Sequence, residues 1–466
     1  MGDDTSTGRD ASSRVVSSRV AEQATSDLEL DPDATLPAGR EWRWPLGVAI
    51  AHAVVFAPLA IAALFRPQAL FPNLWLWHAA RIPETFRTPF EPIQPHFGWP
   101  GLARLIDLVL PTSDPRIAGA MVSILASAFF GVVLYVLLRR TDDGAALLAP
   151  LPAAATSLVI ALLENPAAIQ GWEAVADADR AFLPLYYSFV PTTLASMGFN
   201  VLVTWMTAQL ITGRLGRTGR RWLPVLVVAT AIAKPNLVPM LAAVALLAAV
   251  VAPRLSDPRD RGAQRAVRPV VVDVLRLVTL PAAAITFVQF AILAWFSPPV
   301  LLGGVELRPF YEMRLIGGFG WQFWLLLILP VVTLALLRVR LVADVSVSLC
   351  LGSLAIGMAA ALLFARSGDT VYQGEVGGDI LQLASAATAV LIVFLVRRLF
   401  VLREQGELST VVAVVCVLLL VPYLVAGLDT WRCHSGLSQC YPESIAPSWP
   451  QLGIDEPFPD ISRDGP

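Results

Sequence analysis

A single lysine, Lys234, stands among the 34 Lys and Arg residues of this chain; every other basic side chain is arginine. It lies in Lys234-Pro235-Asn236, between AlaThrAlaIleAla and LeuValProMetLeu, with hydrophobic sequence on both sides. A cation at membrane depth costs about 2.5–3.5 kcal/mol on insertion scales, so it is normally paired or used. Its chemistry would be that of a point charge for an anionic group such as a phosphate. Asn236 adds a short amide to the same turn. The ordinary alternative for Lys234 is a structural ion pair with a neighbouring helix.

Carboxylates that could deprotonate an incoming hydroxyl cluster elsewhere. Glu84 and Glu91 share a proline-rich stretch with His96, and Glu375 is flanked by glycines in Gly374-Glu375-Val376-Gly377. Arg180 and Arg314 sit near further acids and could hold a phosphate as a bidentate fork. Pro191-Thr192-Thr193 opens an apolar run, placing two hydroxyls at a helix start that could face an anion. Each has a plainer reading: loop carboxylates are usually solvated, His96 caps or packs its loop, and proline in a first helical turn is common. His52, inside an apolar run, reads as a hydrogen-bonded packing residue. No Cys/His cluster has metal-ligand spacing; a divalent metal would have no recognisable ligand set, and cofactors are left open.

These residues are carried by a chain that is 56% hydrophobic and 15% charged, with mean hydropathy +0.64. Such a composition excludes an ordinary soluble domain and a nucleic-acid binder, and predicts an all-α polytopic membrane protein. Runs long enough to cross a bilayer fall at 45–65, 117–138, 144–163, 189–212, 272–296, 319–339, 342–365, 379–396 and 408–427. The stretch 222–252 is too long for one span. Arginines flank it on both sides (Arg214, Arg217, Arg220 and Arg221 before, Arg254 and Arg259 after), so both ends are expected inside. The chain must therefore enter and return. Proline lacks an amide donor and disfavours helix at the preceding residue, so the turn is expected at Lys234-Pro235-Asn236.

Counting that pair as two crossings predicts roughly eleven transmembrane helices. Residues 1–44 form a polar, disordered cytoplasmic tail without a cleavable signal peptide, 45–427 the membrane domain, and 428–466 an extracytoplasmic tail. Cys433 and Cys440 lie in that last tail and suit a disulfide in an oxidising space. Outer segments are expected at 66–116, 164–188, 297–318 and 366–378. The first is longest, rich in tryptophan and proline, with helices expected to lie flat on the surface near 74–85 and 102–110.

Pro191-Thr192-Thr193, Lys234-Pro235-Asn236, a looser Pro95-His96-Phe97 and Glu375-Val376-Gly377-Gly378 together resemble a bacterial branch of the polytopic GT-C superfamily glycosyltransferases. The resemblance spans roughly 45–400 and rests on short motifs. It implies a sugar transferred on the outer face of the bacterial plasma membrane from a polyprenyl-phosphate donor to a glycan or protein acceptor, in cell-envelope assembly. The aspartate usual just after the first span has no counterpart before Asp107, which hands the catalytic role to Glu84, Glu91, Glu375 or a second-loop acid. Lys234, with Arg180 or Arg314, would offset charge on the departing lipid phosphate. Rival readings are a transporter or flippase for an anionic or lipid-linked substrate, a polysaccharide polymerase or ligase, and a non-catalytic scaffold.

Overall fold

A computed structural model of the chain describes residues 43–65, 82, 98–110, 114–138, 191–234, 237–255, 267–296, 305–307, 331–337, 339, 344–366, 387, 390–403 and 406–419. The tails 1–42 and 420–466, the apolar run 144–163 and the second outer segment lie outside these residues.

Where the apolar runs are described, helices occupy them. They are α1 (Arg43–Phe65), α2 (Gly98–Val109), α3 (Pro115–Leu138), α4 (Pro191–Thr212), α5 (Arg217–Ala233), α6 (Leu237–Leu255), α7 (Val267–Val274), α8 (Leu280–Phe296) and α9 (Val345–Leu363). Further helix covers 331–336, 390–403 and 410–419. One departure from an all-helical chain is a short antiparallel pair, β1 (Val305–Leu307) with β2 (Phe364–Arg366), in which Glu306 faces Ala365. It ties together two segments expected on the same outer side. A second departure joins α7 to α8, where Leu275–Thr279 widens into a π-turn and Leu280 N–H donates to Leu275 O. Pro281 follows at once. A proline ring clashes with the carbonyl four residues back, and a wider turn relieves that clash without ending the helix.

α1 packs on α3, and α4 packs in turn against α3, α5, α6 and α9. The α1–α3 contact is close because Gly131 has no side chain. A Cβ there would lie 2.6 Å from the His52 ring. His52 is buried, its Nδ1 lies 2.9 Å from Val48 O, and its ring meets Phe130 edge-on. His52 is thus packed as expected. Gly131→Leu is predicted to force α1 off α3, at a cost of about 1–3 kcal/mol or more. Thermal unfolding in detergent would show it as a fall in midpoint, whereas Gly47→Leu, with nothing within 4 Å, should change little.

One end of the helices is held by arginines. Arg220 Nη1 donates to Asp273 Oδ2 at 2.8 Å, joining α5 to α7. Arg397 Nε donates to Leu137 O at 3.1 Å, and Arg398 faces Asp344 at 3.9 Å. Every one of these arginines belongs to a loop end expected inside.

Polar side chains are buried between helices while large apolar ones face outward. Ser196, Asn200, Thr204 and Thr207 are buried along one face of α4, and Ser123, Thr230, Gln289 and Ser353 are buried on neighbouring helices. Val54, Ile61, Leu125, Leu247, Phe287, Val411 and Leu418 are exposed instead. Among the described residues two stretches, Pro115–Leu137 and Val267–Gln289, are long and apolar enough to cross a membrane, and only 22% of the second is buried. Leaving a large apolar side chain in water forfeits about 1.5–3 kcal/mol each, so a flank this bare suits hydrocarbon.

Candidate functional site

The break expected at Lys234 is present. α5 ends at Ala233, Lys234 turns to extended backbone with φ −157° and ψ 109°, and α6 begins at Leu237. Lys234 N–H still donates to Thr230 O at 2.8 Å, closing the last turn of α5. Gln289 of α8 reaches across with its amide to donate to Ala231 O at 2.9 Å. Ala231 O, otherwise orphaned at the helix end, is thereby satisfied. The lysine itself is buried, at 7% exposure. That excludes an amine standing in open water. The carbonyl end of α5 carries partial negative charge, which favours a cation there by about 0.3–1 kcal/mol.

α2 closes onto this break. α2 starts at Gly98, and a Cβ on Gly98 would lie 3.0 Å from Ala233 Cα and 3.1 Å from Ile232 O. Only glycine allows that approach of one backbone to another. Next to it, Trp99 is fully buried against Gly119 of α3 and donates from Nε1 to Ser123 Oγ at 2.9 Å. The indole anchors α2 while Gly98 touches the end of α5. The first turns of α2 and α6 lie beside this break, and the partial positive charge of a helix beginning favours an anion. Buried lysine, two helix beginnings and one helix end thus meet in one place. The lysine charge and the two helix beginnings suit a phosphate or carboxylate, while the carbonyl end of α5 faces the lysine's own charge.

The expected surface helix near 102–110 is α2 itself. Leu102, Leu105, Leu108 and Val109 are exposed, while Trp99, Ala103 and Asp107 are buried. Asp107 pairs with Arg104 at 2.8 Å. It lies nine residues from Gly98, about 14 Å along the helix, so it does not stand beside Lys234. The aspartate nearest to the position favoured by the resemblance is therefore committed to its own helix.

Thr192 and Thr193 lie in the first turn of α4, as Pro191 implied. Asn236, Glu84, Glu91, His96, Arg180, Arg314, Glu375, Cys433 and Cys440 fall outside the described residues. Sequence reasoning missed Gly98, Trp99 and Gln289. The run Phe97-Gly98-Trp99-Pro100 carried the only signal, a glycine beside a bulky anchor. Among the described residues no group of three His, Cys, Asp or Glu side chains could hold a metal. No family model matches the chain, and no curated protein matches it.

Proposed function

We propose that this protein is a multi-span membrane glycosyltransferase that takes its sugar from a polyprenyl-phosphate carrier on the outer face. One observation carries the reading: a buried lysine at a helix break, with the first turn of α2 closed over it. The lysine charge and the helix beginnings favour an anion, and the exposed apolar surface at Phe287 and Val288, beside Gln289, could carry a prenyl chain. Arginine-bearing helix ends gathered away from Lys234 support the expected topology, with the lysine toward the outer half. In the reaction, an outer-loop carboxylate (Glu84, Glu91 or Glu375) removes the proton from the acceptor hydroxyl. Lys234 and the helix beginnings stabilise negative charge developing on the leaving lipid phosphate.

A carrier for an anionic lipid would use a similar broken helix. Membranes containing the protein should move label from a polyprenyl-phosphate sugar to an acceptor. Accumulation of substrate in sealed vesicles, with no transfer, would instead identify a carrier. Topology has its own test. Thr218 is exposed beside Arg217 at the start of α5. In a Thr218→Cys variant, a membrane-impermeant maleimide is predicted to label inverted vesicles and not intact cells. Labelling of intact cells would reverse the assignment of faces.

A further inference from the structure

At the end of the helices opposite Lys234, Arg397 and Arg398 of one helix lie near one carboxylate, Asp344. Arg397 is tied by Nε to Leu137 O, and Arg398 faces Asp344 at 3.9 Å, beyond hydrogen-bond reach. The Nε of Arg398 is buried and has no hydrogen-bond partner among the described residues. Arg214 follows the helix-ending turn at Gly213, and its charge acts on Arg397. Burial lowers the pKa of Arg397, Arg214 lowers it further, and Asp344 opposes both. An arginine stays protonated regardless, so the strain of like charges persists.

We propose that Arg214, Arg397 and Arg398 form a phosphate-binding cluster whose occupant is the headgroup of an anionic phospholipid in the inner leaflet. The guanidinium fork matches a phosphodiester bidentately, and a basic pocket between helices on the cytoplasmic side is where such headgroups are held. Leu137, Leu337, Leu395 and Leu402 form one buried apolar cluster directly beneath, so the charges are fixed in place by the packed core. The occupant supplies the counter-charge that Asp344 alone does not. This inference rests on the membrane placement proposed above and is independent of the transfer reaction.

The protein reconstituted in nanodiscs of phosphatidylcholine, with and without phosphatidylglycerol, tests it by native mass spectrometry. Wild type is expected to retain phosphatidylglycerol on extraction. The Arg214→Gln/Arg398→Gln variant should bind it at least about tenfold more weakly, since each lost hydrogen bond to a charged group is worth about that much. Arg214→Lys/Arg398→Lys should restore part of the loss. Arg220→Gln removes a cation from the same face but outside the cluster, and should leave retention unchanged. Equal loss in Arg220→Gln, or no loss in the double variant with its helix content intact, would overturn the proposal. Binding of inorganic phosphate with no preference for phosphatidylglycerol would overturn the lipid assignment.

Discussion

Lys234→Ala is expected to yield a protein that inserts and is recovered normally but transfers sugar about 10²–10³-fold more slowly, the usual effect of deleting one group that stabilises developing charge. Lys234→Met keeps the length of the side chain and removes only the charge. If Lys234 serves a ligand, the methionine variant should be as stable as wild type or more so, because a buried cation costs about 2.5–3.5 kcal/mol to place. A structural ion pair predicts the opposite: removing one partner of a buried pair costs about 3–5 kcal/mol. Activity and melting, measured on the same preparation, therefore separate the two roles. Lys234→Arg should also impair transfer, since a planar guanidinium is wider than an ammonium and presents its donors in a different geometry. Full activity in that variant would argue against close phosphate contact.

The second large effect concerns α2. Gly98→Val places a branched side chain where backbone atoms of Ile232 and Ala233 stand 3.0–3.1 Å from even a first carbon. Backbone cannot yield as a flexible side chain can, so α2 must lift from the end of α5. The expected cost is about 1–3 kcal/mol of stability. Because Trp99 still anchors the rest of α2 to Ser123, the fold should survive while the site opens to water. Transfer should fall further than the lost stability explains, through a raised KM for the lipid donor. Since Gly98 and Lys234 share one site, Lys234→Met in the Gly98→Val background should add little. Strictly additive losses would place the two residues in separate functions.

Much of this was legible in the residues. Lys234 was conspicuous as the sole lysine, and Pro235 made a break there a local necessity, which the end of α5 and the start of α6 bear out. Pro191 marked the start of α4 in the same way. Arginine positions grouped the helix ends that Arg220, Arg397 and Arg398 then join. The closure of α2 on α5 was not legible. It joins residues more than a hundred positions apart through an absent side chain, and a glycine signals only that something approaches. The π-turn before Pro281 was foreshadowed by the proline but could equally have been a kink. The three-residue strands were too short to leave a periodic pattern.

The account turns on a lipid phosphate lying against Lys234. A photoreactive polyprenyl-phosphate probe, cross-linked in membranes and mapped by peptide sequencing, tests this most directly. Label is predicted in α2 and in the first turns of α6, displaced by unlabelled polyprenyl phosphate and lost in Lys234→Met. Equal labelling of wild type and Lys234→Met, or label confined to peptides at the arginine-rich end, would contradict it.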